Sequence, residues 1–234
     1  MKNPTRVAVV TGSGSGIGAA VAAELMLRGW LVAGLDLKPS PACSLSIEVD
    51  MTDLDRVVAA IRSVETDLGV VSAAVSAAGY YEMAPISEVA VSQWERMLAV
   101  HLGGFLHLSK AVLPRMLANG NGSIVAIGSE LAVGGGGPGD AHYAAAKGAL
   151  LGLMRSLAVE MAPKGVRVNA VAPGPTDTPL LAADSPWRAP EYLGTLPIGR
   201  LAIPEEVALC VAFLVDEGSF CVGETLNPNS GAVI

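Results

Sequence analysis

Two side chains suited to proton transfer and charge stabilisation stand four residues apart in Tyr143-Ala144-Ala145-Ala146-Lys147. On a helix that spacing puts both on one face, about 6 Å apart along the axis. A phenol with an ordinary pKa near 10 is a poor acid or base at neutral pH, and a nearby ammonium favours its phenolate. The intervening alanines leave space for a flat ring against the same face. Alone, such a pair is a common surface accident, so its meaning depends on what accompanies it.

A second constellation is Thr11-Gly12-Ser13-Gly14-Ser15-Gly16-Ile17-Gly18, between a short apolar run and a helical pattern. Glycines there permit positive φ and let the backbone approach a pyrophosphate. A helix starting near Gly16 turns free N–H groups and its positive end toward the phosphates. The expected dinucleotide contacts are Gly12, Ser15, Gly16, Ile17 and Gly18, against the plain alternative of a turn with no ligand. Asp36 closes the next strand, eighteen residues after Gly18. That is near the offset of about 20 at which a carboxylate accepts the adenosine ribose hydroxyls. It would repel the 2′-phosphate of NADP, and Lys38 is the only cation nearby, so NAD is the expected cofactor. The alternative for Asp36 is an ordinary strand-end turn residue.

Elements that position these residues alternate along the chain. Strands are expected over 6–11, 31–35, 44–49, 70–77, 123–127 and 166–171, with Glu224–Asn227 closing the sheet. Helices are expected from Ile17 to Arg28 (stopped by Gly29), from a Thr52 cap to Leu68, and from a Ser92-Gln93-Trp94-Glu95 capping box to Asn119. Further helices are expected over 141–161 and 204–215. Gly103-Gly104 and Pro114 should bend the long helix or mark its end. Continuous apolar strands alternating with helices imply a parallel sheet covered on both faces. The fold class is therefore α/β, a single doubly wound Rossmann domain over 1–234 with about seven strands. The Pro-rich stretch, about 176–204, reads as a lid.

Composition agrees. The chain has 234 residues, 15 Lys+Arg against 22 Asp+Glu, 16% charged and 51% hydrophobic residues. Net charge −7 argues against a nucleic-acid partner, which needs clustered positive charge. The longest apolar stretches, such as Val70 to Ala78, fall short of the ~20 residues of a membrane helix, so no membrane partner is expected. The start, Met1-Lys2-Asn3-Pro4, leaves no room for a signal peptide. Cys43, Cys210 and Cys221 are odd in number, lack metal spacing and read as reduced thiols of a cytoplasmic protein. No metal site is expected. His142 and His107 have no ligand partner at helical spacing and read as structural or pocket-lining.

Taken together, these residues resemble the short-chain dehydrogenase/reductase family over essentially the whole chain. The matches fall in family order: TGxxxGxG at Thr11–Gly18, the strand-end acid Asp36, Asp50 after the third strand, YxxxK at Tyr143/Lys147, then Val168-Asn169-Ala170-Val171-Ala172-Pro173-Gly174. Each is weak alone, but the ordered set is specific. The resemblance implies an NAD-dependent oxidoreductase interconverting a secondary alcohol and a ketone. Ser129 would bind the substrate oxygen, Tyr143 act as general acid/base, and Lys147 hold the nicotinamide ribose and depress the tyrosine pKa. Asp50 and the Met51 backbone would meet the adenine, and Ala78 and Gly79 the adenosine ribose. In Pro173-Gly174-Pro175-Thr176-Asp177-Thr178, the Thr176 backbone and Thr178 side chain would bind the carboxamide and a phosphate. A homotetramer is implied, with the two long helices as dimer faces and Val233-Ile234 beside them.

Three departures from the family pattern stand out. Ser76-Ala77-Ala78-Gly79 lacks the asparagine of NNAG, which ties neighbouring strands together. His101 replaces a catalytic asparagine, and would either relay protons or simply fill the space. The gap from Ser129 to Tyr143 is one residue longer than usual, spent in Gly134-Gly135-Gly136-Gly137 beside the substrate pocket. Tyr80-Tyr81 would line that pocket or pack the loop, while Trp187 and Tyr192 would meet substrate from a closed lid. Alternatives are a 3-oxoacyl-thioester reductase, which Asp36 opposes, and a non-catalytic dinucleotide sensor or scaffold, which the retained Ser129, Tyr143 and Lys147 oppose.

Overall fold

In this computed structural model, which describes residues 6–233, the apolar runs form the strands that their composition requires. They are β1 (Val7–Thr11), β2 (Leu31–Asp36), β3 (Leu45–Glu48), β4 (Val71–Ser76), β5 (Gly122–Ile127), β6 (Val166–Val171) and β7 (Thr225–Leu226). Every residue of β1 and β5 is buried, as befits strands covered on both faces. The sheet is parallel with order β3-β2-β1-β4-β5-β6-β7, so the order in which strands are laid down reverses between β1 and β4 while their direction does not. That switch point opens a crevice at the carboxyl ends of the strands.

The helices are α1 (Gly16–Leu27), α2 (Leu54–Asp67), α3 (Val91–Leu98), a π-helical turn (Ala99–Gly103), α4 (Gly104–Asn119), α5 (Leu131–Gly134), α6 (Ala141–Met161), α7 (Pro190–Leu193) and α8 (Pro204–Asp216). One face of the sheet packs under α2, α4 and α6 through Ile61, Phe105, Leu108, Leu150 and Met154. The other packs under α1 and α8 through Val21, Leu25, Val207, Val211 and Leu214. Between Pro175 and Ala202 the chain leaves the sheet and returns. Its neck is closed where Asp177 N–H donates to the Ala202 carbonyl (2.8 Å) and Ala202 N–H to that of Pro175 (3.1 Å).

Several boundaries differ from the sequence expectation. Asp53, not Thr52, caps α2 by accepting from Arg56 N–H, and Thr52 instead turns onto Asp50. The capping box at Ser92 is not formed. The helix begins at Val91, where the Gln93 carboxamide accepts from Ala90 N–H (2.9 Å), and Ala90 has no oxygen to reciprocate. The bend expected at Gly103-Gly104 is the π turn just before Gly104, whereas Pro114 lies inside α4 without ending it. The run Val91–Asn119 is also long and apolar enough by composition to cross a membrane, contrary to expectation; Phe105, Leu108, Val112 and Met116 fill the core instead. The chain start and Ile234 lie outside the described residues.

Candidate active site

At the switch point lies a cavity of about 660 Å³, and every site residue expected from the sequence lines it. The glycine turn forms one end. Gly12 has φ +67°, and a Cβ there would meet the Ala77–Ala78 backbone at 2.8 Å. A Cβ on Gly18 would overlap the Gly12 carbonyl. Side chains are thus excluded where a phosphate group needs close approach to backbone. Ser15 caps α1 without a side-chain hydrogen bond, so the first-turn N–H groups remain available to an anion. These features fit a dinucleotide. Thr11 supplies the tie that the missing asparagine would have made: its hydroxyl accepts from Ala77 N–H and Ala78 N–H, both at 3.0 Å.

Asp36 stands at the end of β2 on the cavity wall, its carboxylate accepting from Gly14 N–H (2.9 Å) and Lys38 N–H (3.0 Å). Asp50 accepts from both Thr52 N–H and its hydroxyl, which lower its pKa. His107 binds the Met51 carbonyl through Nδ1 at 2.8 Å, a structural contact.

At the other end α6 brings Tyr143 and Lys147 beneath the close of β5. Lys147 Nζ donates to the Ile127 carbonyl (2.8 Å) and lies 5.6 Å from the centre of the Tyr143 ring. Burial lowers the ammonium to about 7. Burial also raises the Tyr143 phenol, the Glu130 carboxylate adds to that rise, and the Ser129 hydroxyl opposes it. Ser129 is buried, its oxygen accepting from Leu131 N–H at 3.2 Å. These three side chains meet in one cavity with the glycine turn.

His101 sits on the π turn with its ring edge-on to Tyr143, centroids 5.4 Å apart. Its Nε2 is 2.8 Å from the Tyr80 carbonyl, which makes that nitrogen the donor. Burial, then the Lys147 charge, lowers it to about 3. Its Nδ1 has no hydrogen-bond partner among the described residues.

Sequence reasoning did not single out Glu130 or Asp140. Glu130 is buried and lines the cavity, and desolvation raises it to about 7. Asp140 accepts from the Tyr81 hydroxyl (2.6 Å), which accepts from Trp187 Nε1–H (3.0 Å), so the segment after Pro175 is tied to the start of α6. Tyr81 and Trp187 line the cavity, and Tyr192 packs edge-on to Trp187. His142 is buried with both ring nitrogens unpartnered and does not line it. Among the described residues no His, Cys, Asp and Glu cluster has metal-binding geometry.

Known proteins match on both sequence and backbone. A family model described as enoyl-(acyl carrier protein) reductase matches residues 12–232. The chain is similar to cis-4-hydroxycyclohexanecarboxylate dehydrogenase of Sinomonas cyclohexanicum, at 41% identity over 97% of this chain and 96% of that protein. It is similar to the 3-oxoacyl-[acyl-carrier-protein] reductase FabG of Escherichia coli, at 34% identity with the same coverage. The ligand-free aldohexose dehydrogenase of Thermoplasma acidophilum superposes with a TM-score of 0.89 at 32% identity, over 97% of this chain and 93% of that one. Agreement along nearly the full length of each partner, in residues and in backbone, leaves one assignment: the chain belongs to the short-chain dehydrogenase/reductase family of oxidoreductases.

Proposed function

We propose that the protein is an NAD-dependent dehydrogenase that interconverts a secondary alcohol and its ketone. The observation that carries this reading is the convergence of Ser129, Tyr143 and Lys147 in the cavity that the glycine turn opens. A bound nicotinamide supplies the hydride acceptor and, when oxidised, a positive charge. Ser129 holds the substrate oxygen, and Tyr143 takes its proton as the alcohol is oxidised or returns it on reduction. A protonated Lys147 favours the Tyr143 phenolate against the burial and the Glu130 charge that oppose it. His101 walls the tyrosine and fixes the Tyr80 carbonyl. Asp36 at the adenosine end supports NAD over NADP.

Substrates of the relatives point to cyclic hydroxy acids, acyl thioesters and aldohexoses as classes to try. Similarity to the thioester reductase favours a second reading, a 3-oxoacyl-thioester reductase, and Asp36 weighs against the NADPH that such chemistry usually takes. Residues 176–204 act as the lid, and the family resemblance supports a homotetramer.

Both points are tested by oxidation assays over ring alcohols, diols, sugars and hydroxy acids with either dinucleotide. NAD should exceed NADP by at least ~10-fold in kcat/KM, one favourable contact or charge clash being worth about 1.4 kcal/mol or more. Tyr143→Phe should lower turnover at least ~100-fold, as expected for loss of an acid/base group, with NADH affinity by fluorescence titration unchanged within threefold. NADH binding with no turnover by either protein would point to a non-catalytic sensor instead.

A further inference from the structure

Glu130 follows Ser129 at the end of β5 and is 5% exposed, yet it forms part of the cavity wall. Its polar neighbours are its own N–H and the Ser129 hydroxyl, and among the described residues no basic side chain pairs with it. Its charge acts on Tyr143 and Tyr192 and is felt beside Asp140. Asp140 is already committed, accepting from the Tyr81 hydroxyl and from Gly137 N–H (2.8 Å). The cavity's cations lie elsewhere: Lys147 donates to Ile127, Arg96 stacks on Tyr80, and Lys38 is beside Asp36. A buried carboxyl group facing a cavity without a donor from another element is costly until something entering the cavity completes it.

We propose that Glu130 is a specificity-determining residue that accepts a hydrogen bond from a hydroxyl on the carbon next to the reacting carbinol, so that the preferred substrate is a vicinal diol or polyol. This rests on the dehydrogenase reading. Glu130 adjoins Ser129 and acts on Tyr143, the two side chains that would hold the reacting oxygen. A substituent that reaches it must therefore lie close to that oxygen and not at the far end of the substrate. A neighbouring hydroxyl donates to the carboxyl group. A neighbouring carboxylate has no proton to give and adds like charge, and an unsubstituted alcohol leaves Glu130 unpaired once the site closes. Because burial holds Glu130 at about 7, it exists near neutral pH in both protonation states. A hydroxyl, which can give and take a hydrogen bond, satisfies either state, whereas an ammonium satisfies only one.

Four ring alcohols that differ in one substituent decide the matter: cyclohexanol, the vicinal cyclohexane diol, the vicinal amino alcohol and the vicinal hydroxy acid. They are compared by kcat/KM with NAD in wild type, Glu130→Gln and Glu130→Leu, with folding checked by circular dichroism. Wild type should prefer the diol over cyclohexanol by roughly 100-fold or more, since unpaired polar groups in a closed site discriminate strongly. It should turn over the hydroxy acid least. Glu130→Leu should bring the diol preference below about tenfold and raise cyclohexanol turnover, because the unpaired group is gone. Glu130→Gln should keep most of the diol preference through its carbonyl and admit the hydroxy acid. An equal diol-to-cyclohexanol ratio in wild type and Glu130→Leu would overturn the proposal. So would continued rejection of the hydroxy acid by Glu130→Gln, should the leucine variant not fold. An amino alcohol preferred over the diol, and lost in Glu130→Gln, would replace hydroxyl recognition with ammonium recognition. If no ring alcohol turns over while open-chain alcohols or sugars of the wider panel do, this proposal falls and the dehydrogenase reading stands; if neither set reacts, both fall.

Discussion

Burying Glu130 and Lys147 in one cavity works on stability in opposite directions along the pH axis. Glu130 is raised from 4.5 to about 7, so between those values the folded protein holds a proton that the unfolded chain has lost. Stability contributed there is present at low pH and drains away as pH rises to 7. Lys147 is lowered from 10.5 to about 7, so above 7 the unfolded chain holds the extra proton and its penalty is relieved as pH climbs toward 10.5. At about 1.4 kcal/mol per pKa unit, each limb is on the order of a few kcal/mol. Denaturant titrations of the cofactor-free protein should show it by difference. The advantage of wild type over Glu130→Gln should fall from pH 4.5 to 7, and its deficit against Lys147→Met should shrink from pH 7 to 10.5. A flat difference in either window would contradict the burial seen here. Tyr143 and Lys147 were legible in the sequence because their types and spacing carry a signal, whereas Ser129 came only through the family resemblance. Glu130 was not, since a glutamate after a serine in an irregular loop has neither periodicity nor fixed spacing, and only the turn out of β5 aims it inward.

The π turn between α3 and α4 couples two segments that sequence spacing leaves apart. It places the His101 ring against Gly79, where an added Cβ would overlap ring carbon Cε1. The ring has little freedom to yield, because Nε2 is held at the Tyr80 carbonyl and Tyr143 closes the other side. Gly79→Ala should therefore destabilise the protein by about 1–3 kcal/mol, the usual cost of overpacking, measured as a lower thermal midpoint. Adding the shorter His101→Asn should recover most of that loss. The sequence anticipated a bend at Gly103-Gly104 from composition, but widening of the preceding turn depends on tertiary packing and has no local motif. Cap positions slipped for a similar reason. Thr52-Asp53 offers two good caps in a row, and the claim of Asp50 on the threonine decides between them.

At the scale of the molecule, alternation of apolar strands with helices was enough to read a parallel, doubly covered sheet, while strand order came only from the coordinates. The layer of α2, α4 and α6 also leaves apolar side chains outside: Leu106 and Leu117 on α4, and Val159, 75% exposed, on α6. Exposed apolar groups on the two long helices support their proposed use as subunit faces. Sedimentation equilibrium should give about four times the 23.8 kDa chain mass, and Leu106→Glu with Val159→Glu should lower it. A monomer in the unmodified protein would remove the tetramer. Finally, the loop from Pro175 to Ala202 begins and ends at one backbone neck, and beyond it Trp187 on Tyr81 and Ile198 N–H on the Ser230 carbonyl tie it to the body. Positions between those ties can change without disturbing the strands beneath, whereas Trp187 and the buried Leu181 and Leu196 cannot change as freely. What such a chain recognises can therefore shift through one segment while the residues around Tyr143, on other elements, stay as they are.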